Sequence, residues 1–121
     1  MKFAKIVFWG AGIWGVLSLT PLYFLFDAIG RQDPPAITHP GFYYGFAGVA
    51  LAWQFAFFVI AKAPARFRLM MIPAFLEKLS FGIPSVVLYM QQRMRASDLA
   101  LGCIDLLLGA LFLVAFGATK Q

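Results

Sequence analysis

A chain of 121 residues with 62% hydrophobic and only 12% charged residues lies far from soluble domains, in which about a quarter of residues carry charge. This balance excludes an ordinary soluble domain and indicates an integral membrane protein. The formal net charge of +5 does not indicate a nucleic-acid partner, because the basic residues gather at the ends of apolar runs and form no patch with interleaved exposed aromatics.

Four apolar segments follow one another, Ile6 to Phe26, Phe42 to Ala61, Leu69 to Met90 and Leu99 to Phe116. Each is near the ~20 residues that a helix needs to cross about 30 Å of hydrocarbon. The expected fold is therefore all-α, a single-domain integral membrane four-helix bundle over residues 1–121 with up-down, antiparallel neighbours. The first segment follows MKFAK and is 21 residues long, beyond the usual signal-peptide apolar region of about 7–15, and no small-x-small cleavage site follows it. It is expected to be a helix that Pro21 kinks. Its GAGIWG lacks the strand context and the full glycine pattern of a nucleotide loop, so Gly10, Gly12 and Gly15 are expected to permit close helix contact.

The connection DAIGRQDPPAITHPG carries Pro34, Pro35 and Pro40 and is expected to be extended or turning. Asp27, Asp33 and His39 are spread along it without compact ligand spacing, so a solvated polar loop is preferred to a metal site. HPGFYYGF then opens the second segment. Tyr43 and Tyr44, with Tyr89 at the matching end of the third segment, read as an interfacial aromatic belt. The alternative is an outer rim for a lipophilic ligand. Gly41 and Gly45 match GxxxG, which we assign to packing within the chain in preference to a dimer. Gln54 shares a helical face with Tyr43, Ala47, Ala50, Phe57 and Ala61, where small side chains let a neighbour approach.

After the basic turn KAPARFR, the third segment contains Glu77 and Lys78 in FLEKLSFGIP. Ten of its residues are Leu, Ile, Phe or Val, worth roughly −3 to −6 kcal/mol on insertion, against about +2.5 to +3.5 for each central charge. The charges nearly cancel the gain, so they require partners within the bundle. Pro73 and Pro84 are further kink candidates. The fourth segment holds Asp105 between Gly102 and Gly109, and Cys103, which has no second cysteine to pair with and reads as a packing residue.

Lys2, Lys5, Lys62, Arg66, Arg68 and Lys120 fall on one side of this arrangement, and Arg31, Arg93 and Arg95 on the other. Both termini are thus expected to be cytoplasmic. Measured along the helix axes, Gln54, Glu77, Lys78 and Asp105 lie at similar depth and form a candidate intramembrane polar cluster. Adjacent helical residues point about 100° apart, so the expected pairs are Lys78 with Asp105 and Glu77 with Gln54. Such a cluster either fixes helix register or marks a pocket or pathway.

The glycine-containing first segment, the proline-rich loop, YYGFAGVAL, the PARFR turn and DLLLGALFLVAF together resemble small bacterial membrane proteins of the DoxX-like type. That resemblance implies a compact bundle in the cytoplasmic (inner) membrane and names no substrate. No serine–histidine–acid set, paired metal motif or cofactor signature is present, so no catalytic residue, cofactor or metal is assigned. The leading functional expectation is a non-enzymatic membrane protein, an accessory subunit or a binder of a lipid or other lipophilic molecule. Its partners are the bilayer, a membrane-protein partner or copies of itself. Two alternatives stand beside it: an oligomer that moves protons or small ions past Glu77, and a membrane enzyme using Glu77 or Asp105 on a lipid-like substrate.

Overall fold

A computed structural model describes residues 2–32, 35 and 37–119; Asp33, Pro34 and Lys120, which entered the loop and orientation readings, lie outside the described residues. Among the described residues there are five α-helices and no strand: α1 (Lys2–Leu19), α2 (Phe26–Gln32), α3 (Pro40–Lys62), α4 (Met71–Met90) and α5 (Ala96–Ala118). Four stretches, Lys2–Phe24, Pro40–Lys62, Arg68–Met90 and Ala96–Ala118, are each 23 residues and apolar enough to cross a bilayer. They match the four expected segments to within a few residues at each end.

The boundaries follow from local chemistry. Pro21 removes a backbone donor where α1 gives way to the 3-10 turn Thr20–Phe24. Pro40 stands in the first turn of α3, where its missing N–H costs nothing. A 3-10 turn at Arg68–Met70 leads into α4, whose Pro73 is likewise in the first turn. Pro84 is interior, and the Ser85 hydroxyl beside it donates to the Phe81 carbonyl at 2.7 Å. Past its end, Gln92 adopts φ 59° while Arg93 N–H donates to Leu88 O at 2.8 Å and Gln92 N–H to Tyr89 O at 2.9 Å. That pair of bonds is a Schellman closure with glutamine in the left-handed position that usually takes glycine.

Helix α2 corrects the expectation of an extended loop. The prolines lie beyond it, so nothing interrupts Phe26–Gln32, and Asp27 in its first turn and Arg31 in its last both complement the helix dipole.

Helix α1 packs along α3, and α4 packs along α5 over its length, while α1 also meets α5; α3 and α4 touch sparsely. Phe8, Phe57 and Phe112 form the centre of the core, with Phe8 and Phe112 stacked at 4.2 Å and Phe57 edge-on to both at 6.0 and 5.0 Å. Ala4, Ala11, Ile60, Ala61, Met71, Ala74 and Ala115 close around these rings. Arg68 joins the same end to the C-terminus of α5, donating to Phe116 O at 3.0 Å and Thr119 O at 2.6 Å with its guanidinium 3.7 Å from the Phe116 ring centre. Large apolar side chains including Ile6, Leu17, Val49, Leu76, Leu107 and Val114 cover the outside. This outward apolar surface is that of a protein whose solvent is lipid.

The glycines divide differently from expectation. A Cβ on Gly41, Gly45 or Gly10 would meet nothing within 4 Å, so the GxxxG pair is not an intrachain contact. Close approach occurs instead at Gly12 against Phe58, Gly15 against Gln54, and Gly102 against Ser85 and Gly82. Cys103 is exposed on the outer surface of α5 and is not a packing residue.

A candidate ligand cavity above a charged floor

The packed aromatic end and the opposite end of the bundle meet at Lys78. Its side chain is 4% exposed, and Nζ lies 3.6 Å from Asp105 Oδ1 on α5 and 3.5 Å from Glu77 Oε1 on its own helix. The ammonium also sits 5.0 Å from the centre of the Phe57 ring, the top of the aromatic core. Gly109 gives this arrangement room, since Lys78 Cβ is the nearest side-chain atom to the hydrogen side of that glycine.

The expected Lys78 to Asp105 pair therefore forms, whereas the expected Glu77 to Gln54 pair does not. Gln54 donates from Nε2 to the Ala50 carbonyl of its own helix at 2.7 Å, leaving Oε1 buried without a hydrogen-bond partner among the described residues. Glu77 turns instead toward Lys78. The two Cβ vectors do diverge, but the four-carbon lysine stem spans the difference, which a rule of adjacent directions alone does not capture. Phe57 was placed on the Gln54 face by its spacing, yet its role as the aromatic partner of Lys78 was not readable from the sequence.

Above this floor is a cavity of about 310 Å³. Its walls are Trp14, Ser18, Leu19 and Leu22 from the first span, Ile29 from α2, Tyr43, Phe46 and Ala50 from α3, Phe81 from α4, Met94 from the turn after α4, and Asp98 and Leu101 from α5. Gly15, Gln54, Glu77, Lys78 and Asp105 complete it below. The surface is mostly apolar, with Gln54, Glu77, Lys78 and Asp105 gathered at its base and Asp98 higher in the wall, an organisation common in small-molecule pockets.

Because α3 and α4 barely touch, a second, open cleft runs down their seam, lined by Gly45, Val49 and Trp53 on one side and Pro73, Leu76 and Ser80 on the other. Phe46, Ala50, Glu77 and Phe81 line both the cleft and the cavity. The Phe46 and Phe81 rings, 6.1 Å apart, stand across this shared wall.

Of the tyrosines considered as a rim, Tyr43 lines the cavity and donates its hydroxyl to Leu22 O at 2.6 Å, fastening α3 to the 3-10 turn. Tyr44 stacks on Phe26 at 5.5 Å and faces Tyr23 at 6.0 Å, outside the cavity lining. Tyr89 is exposed and joins neither group. Among the described residues no cluster of histidine, cysteine or acid can hold a metal ion.

The fold and the site define a class: a helical chain with four bilayer-length spans and a partly open cavity among them that carries charged groups at its base. No family model, curated protein or solved structure matches the chain.

Proposed function

We propose that this is a multi-pass protein of a bacterial cytoplasmic membrane, an up-down bundle of DoxX-like type with both termini cytoplasmic, that binds a lipophilic molecule between its helices. The observation that carries the binding function is an apolar-walled cavity that shares the wall of Phe46, Ala50, Glu77 and Phe81 with a cleft on the apolar outer surface. A ligand dissolved in the bilayer reaches such a cavity sideways, between α3 and α4, without crossing water. The polar base then orients its polar group, and the walls receive its apolar body.

The same geometry favours binding over conduction. Beyond Lys78 the route is filled by Phe57, Phe8 and Phe112, all fully buried, so a proton or ion at Glu77 meets packed rings on the far side. Native mass spectrometry of the protein extracted in mild detergent tests the assignment. A lipophilic molecule should accompany the wild type and be lost from Ser18→Phe, in which a ring fills the cavity. A wild-type protein that retains no lipophile and gains none when reconstituted with membrane extract would remove the ligand-binding function.

A further inference from the structure

Counted as ionised groups, the side chains at the base of the cavity do not balance in charge. Glu77 and Asp105 approach a single ammonium, Lys78, at 3.5 and 3.6 Å, so one carboxylate has no cation of its own. Higher in the wall, Asp98 is already matched by Arg95 at 3.5 Å. The imbalance is therefore local to the floor.

A second feature, independent of charge, points the same way. Gln54 is 1% exposed, and its Oε1 is presented against the Gly15 wall with no hydrogen-bond partner among the described residues. Glu77 Oε1 also accepts no hydrogen bond, having only the longer ion-pair contact. The nearby hydroxyl donors are committed: Ser18 donates to Gly15 O at 3.2 Å and Tyr43 to Leu22 O. Beside the Lys78 ammonium, the floor thus holds two acceptor oxygens without hydrogen-bond donors, and a buried acceptor without a donor is costly.

Above these oxygens stand the rings of Trp14, Tyr43, Phe46 and Phe81. Aromatic faces attract cations, and more strongly where water is excluded. An anionic headgroup would add to the excess of carboxylate. A neutral alcohol would supply a donor but leave the extra charge uncompensated.

From the charge count, the orphaned Gln54 oxygen and the ring-lined wall, we infer that the cavity selects a lipophilic organic monocation, a protonated amine on an apolar body. Its N–H groups meet Gln54 Oε1 and Glu77, and its body lies among the rings. This inference rests on the ligand-binding function proposed above and adds the sign of the ligand's charge.

Calorimetric titration of the protein in phosphatidylcholine nanodiscs with decylamine, decanol and decanoate, each corrected with empty nanodiscs, holds the tail constant and varies only the head. Decylamine should bind at least about tenfold more tightly than decanol, as one charge-assisted hydrogen bond provides, and decanoate should bind most weakly. In Glu77→Gln or Asp105→Asn the preference for the amine over the alcohol should fall to about twofold or less, while the alcohol still binds. Decanol or decanoate binding as tightly as decylamine would overturn the cation inference and leave lipophile binding intact. If all three give no heat beyond empty nanodiscs, lipophile binding itself fails and the inference with it. An amine preference unchanged in both folded carboxylate variants would overturn the assignment to this floor, and should both variants misfold, the wild-type ranking decides.

Discussion

Replacing Lys78 with Met should destabilise the folded protein by about 3 kcal/mol, and adding Asp105→Asn to the same chain should restore about half of that loss. Removing one partner of a buried ion pair typically costs about 3–5 kcal/mol because the other charge is stranded. The lower end applies here, since the side chains of Glu77 and Asp105 are 14% and 17% exposed toward the cavity and can recruit water. Restoration is incomplete for two reasons. Glu77 still lacks its lysine partner in the double variant, and the contact of the ammonium with the Phe57 ring, worth roughly 0.5–2 kcal/mol, is lost in both variants. The measurement is reversible unfolding in mild detergent of wild type, both single variants and the double, read as a double-mutant cycle with an expected coupling of about 1–3 kcal/mol. A Lys78→Met variant within about 0.5 kcal/mol of wild type, or a double variant whose loss equals the sum of the singles, would refute a structural Lys78 to Asp105 pair.

Three further outcomes follow from local geometry, each read by the same unfolding assay. Gly102→Ala should cost about 1–3 kcal/mol because its Cβ would overlap Ser85 on α4, whereas Gly109→Ala, whose nearest neighbour is Lys78 Cβ at 3.4 Å, should cost distinctly less; equal losses would contradict the α4 to α5 packing. Gln92→Gly should stabilise by about 1 kcal/mol, because glycine enters the left-handed region without the penalty glutamine bears there; a destabilised variant would argue against this helix end. Arg68→Lys should lose about 1–2 kcal/mol and behave more like Arg68→Ala than like wild type, since lysine keeps the charge but not the planar group that lies on Phe116 and donates to two carbonyls; full rescue by lysine would show that charge alone matters.

The spans were legible because length and apolarity decide them, and because the ends carry prolines and basic residues whose chemistry is local. Helix α2 was not, since Pro34 and Pro35 dominate the reading of its segment, although the prolines stand past its last residue, Gln32. The polar floor was half legible. Depth along three helices brought Gln54, Glu77, Lys78 and Asp105 together, but hydrogen-bond choice depends on reach and rotamer, and Gln54 chose the Ala50 carbonyl four residues back. The glycine pattern misled in the opposite way. Gly41 and Gly45 have the spacing for close contact, but which face of α3 meets α1 is set by Ala47, Ala50, Gln54 and Phe57, and that face excludes them.

The unequal packing of the two ends has a physical basis in the lipid solvent. Helices already in a bilayer gain little by hiding apolar surface from lipid, so cohesion comes from close van der Waals fit and interhelical polar contacts. Here the stack of Phe8, Phe57 and Phe112 and the Arg68 bonds to the end of α5 tie one end, while on the cavity side α4 and α5 stay in contact where Gly102 approaches Gly82 and Ser85. With α1 held to α3, α4 held to α5, and α1 joining the pairs through α5, the seam between α3 and α4 is not needed to close the bundle. It is free to remain open, and the cavity behind it displaces no contact on which the core depends. Substitutions in the upper wall, such as Ser18→Phe, should therefore alter occupancy far more than stability, whereas substitutions at Phe8 or Phe112 should do the reverse.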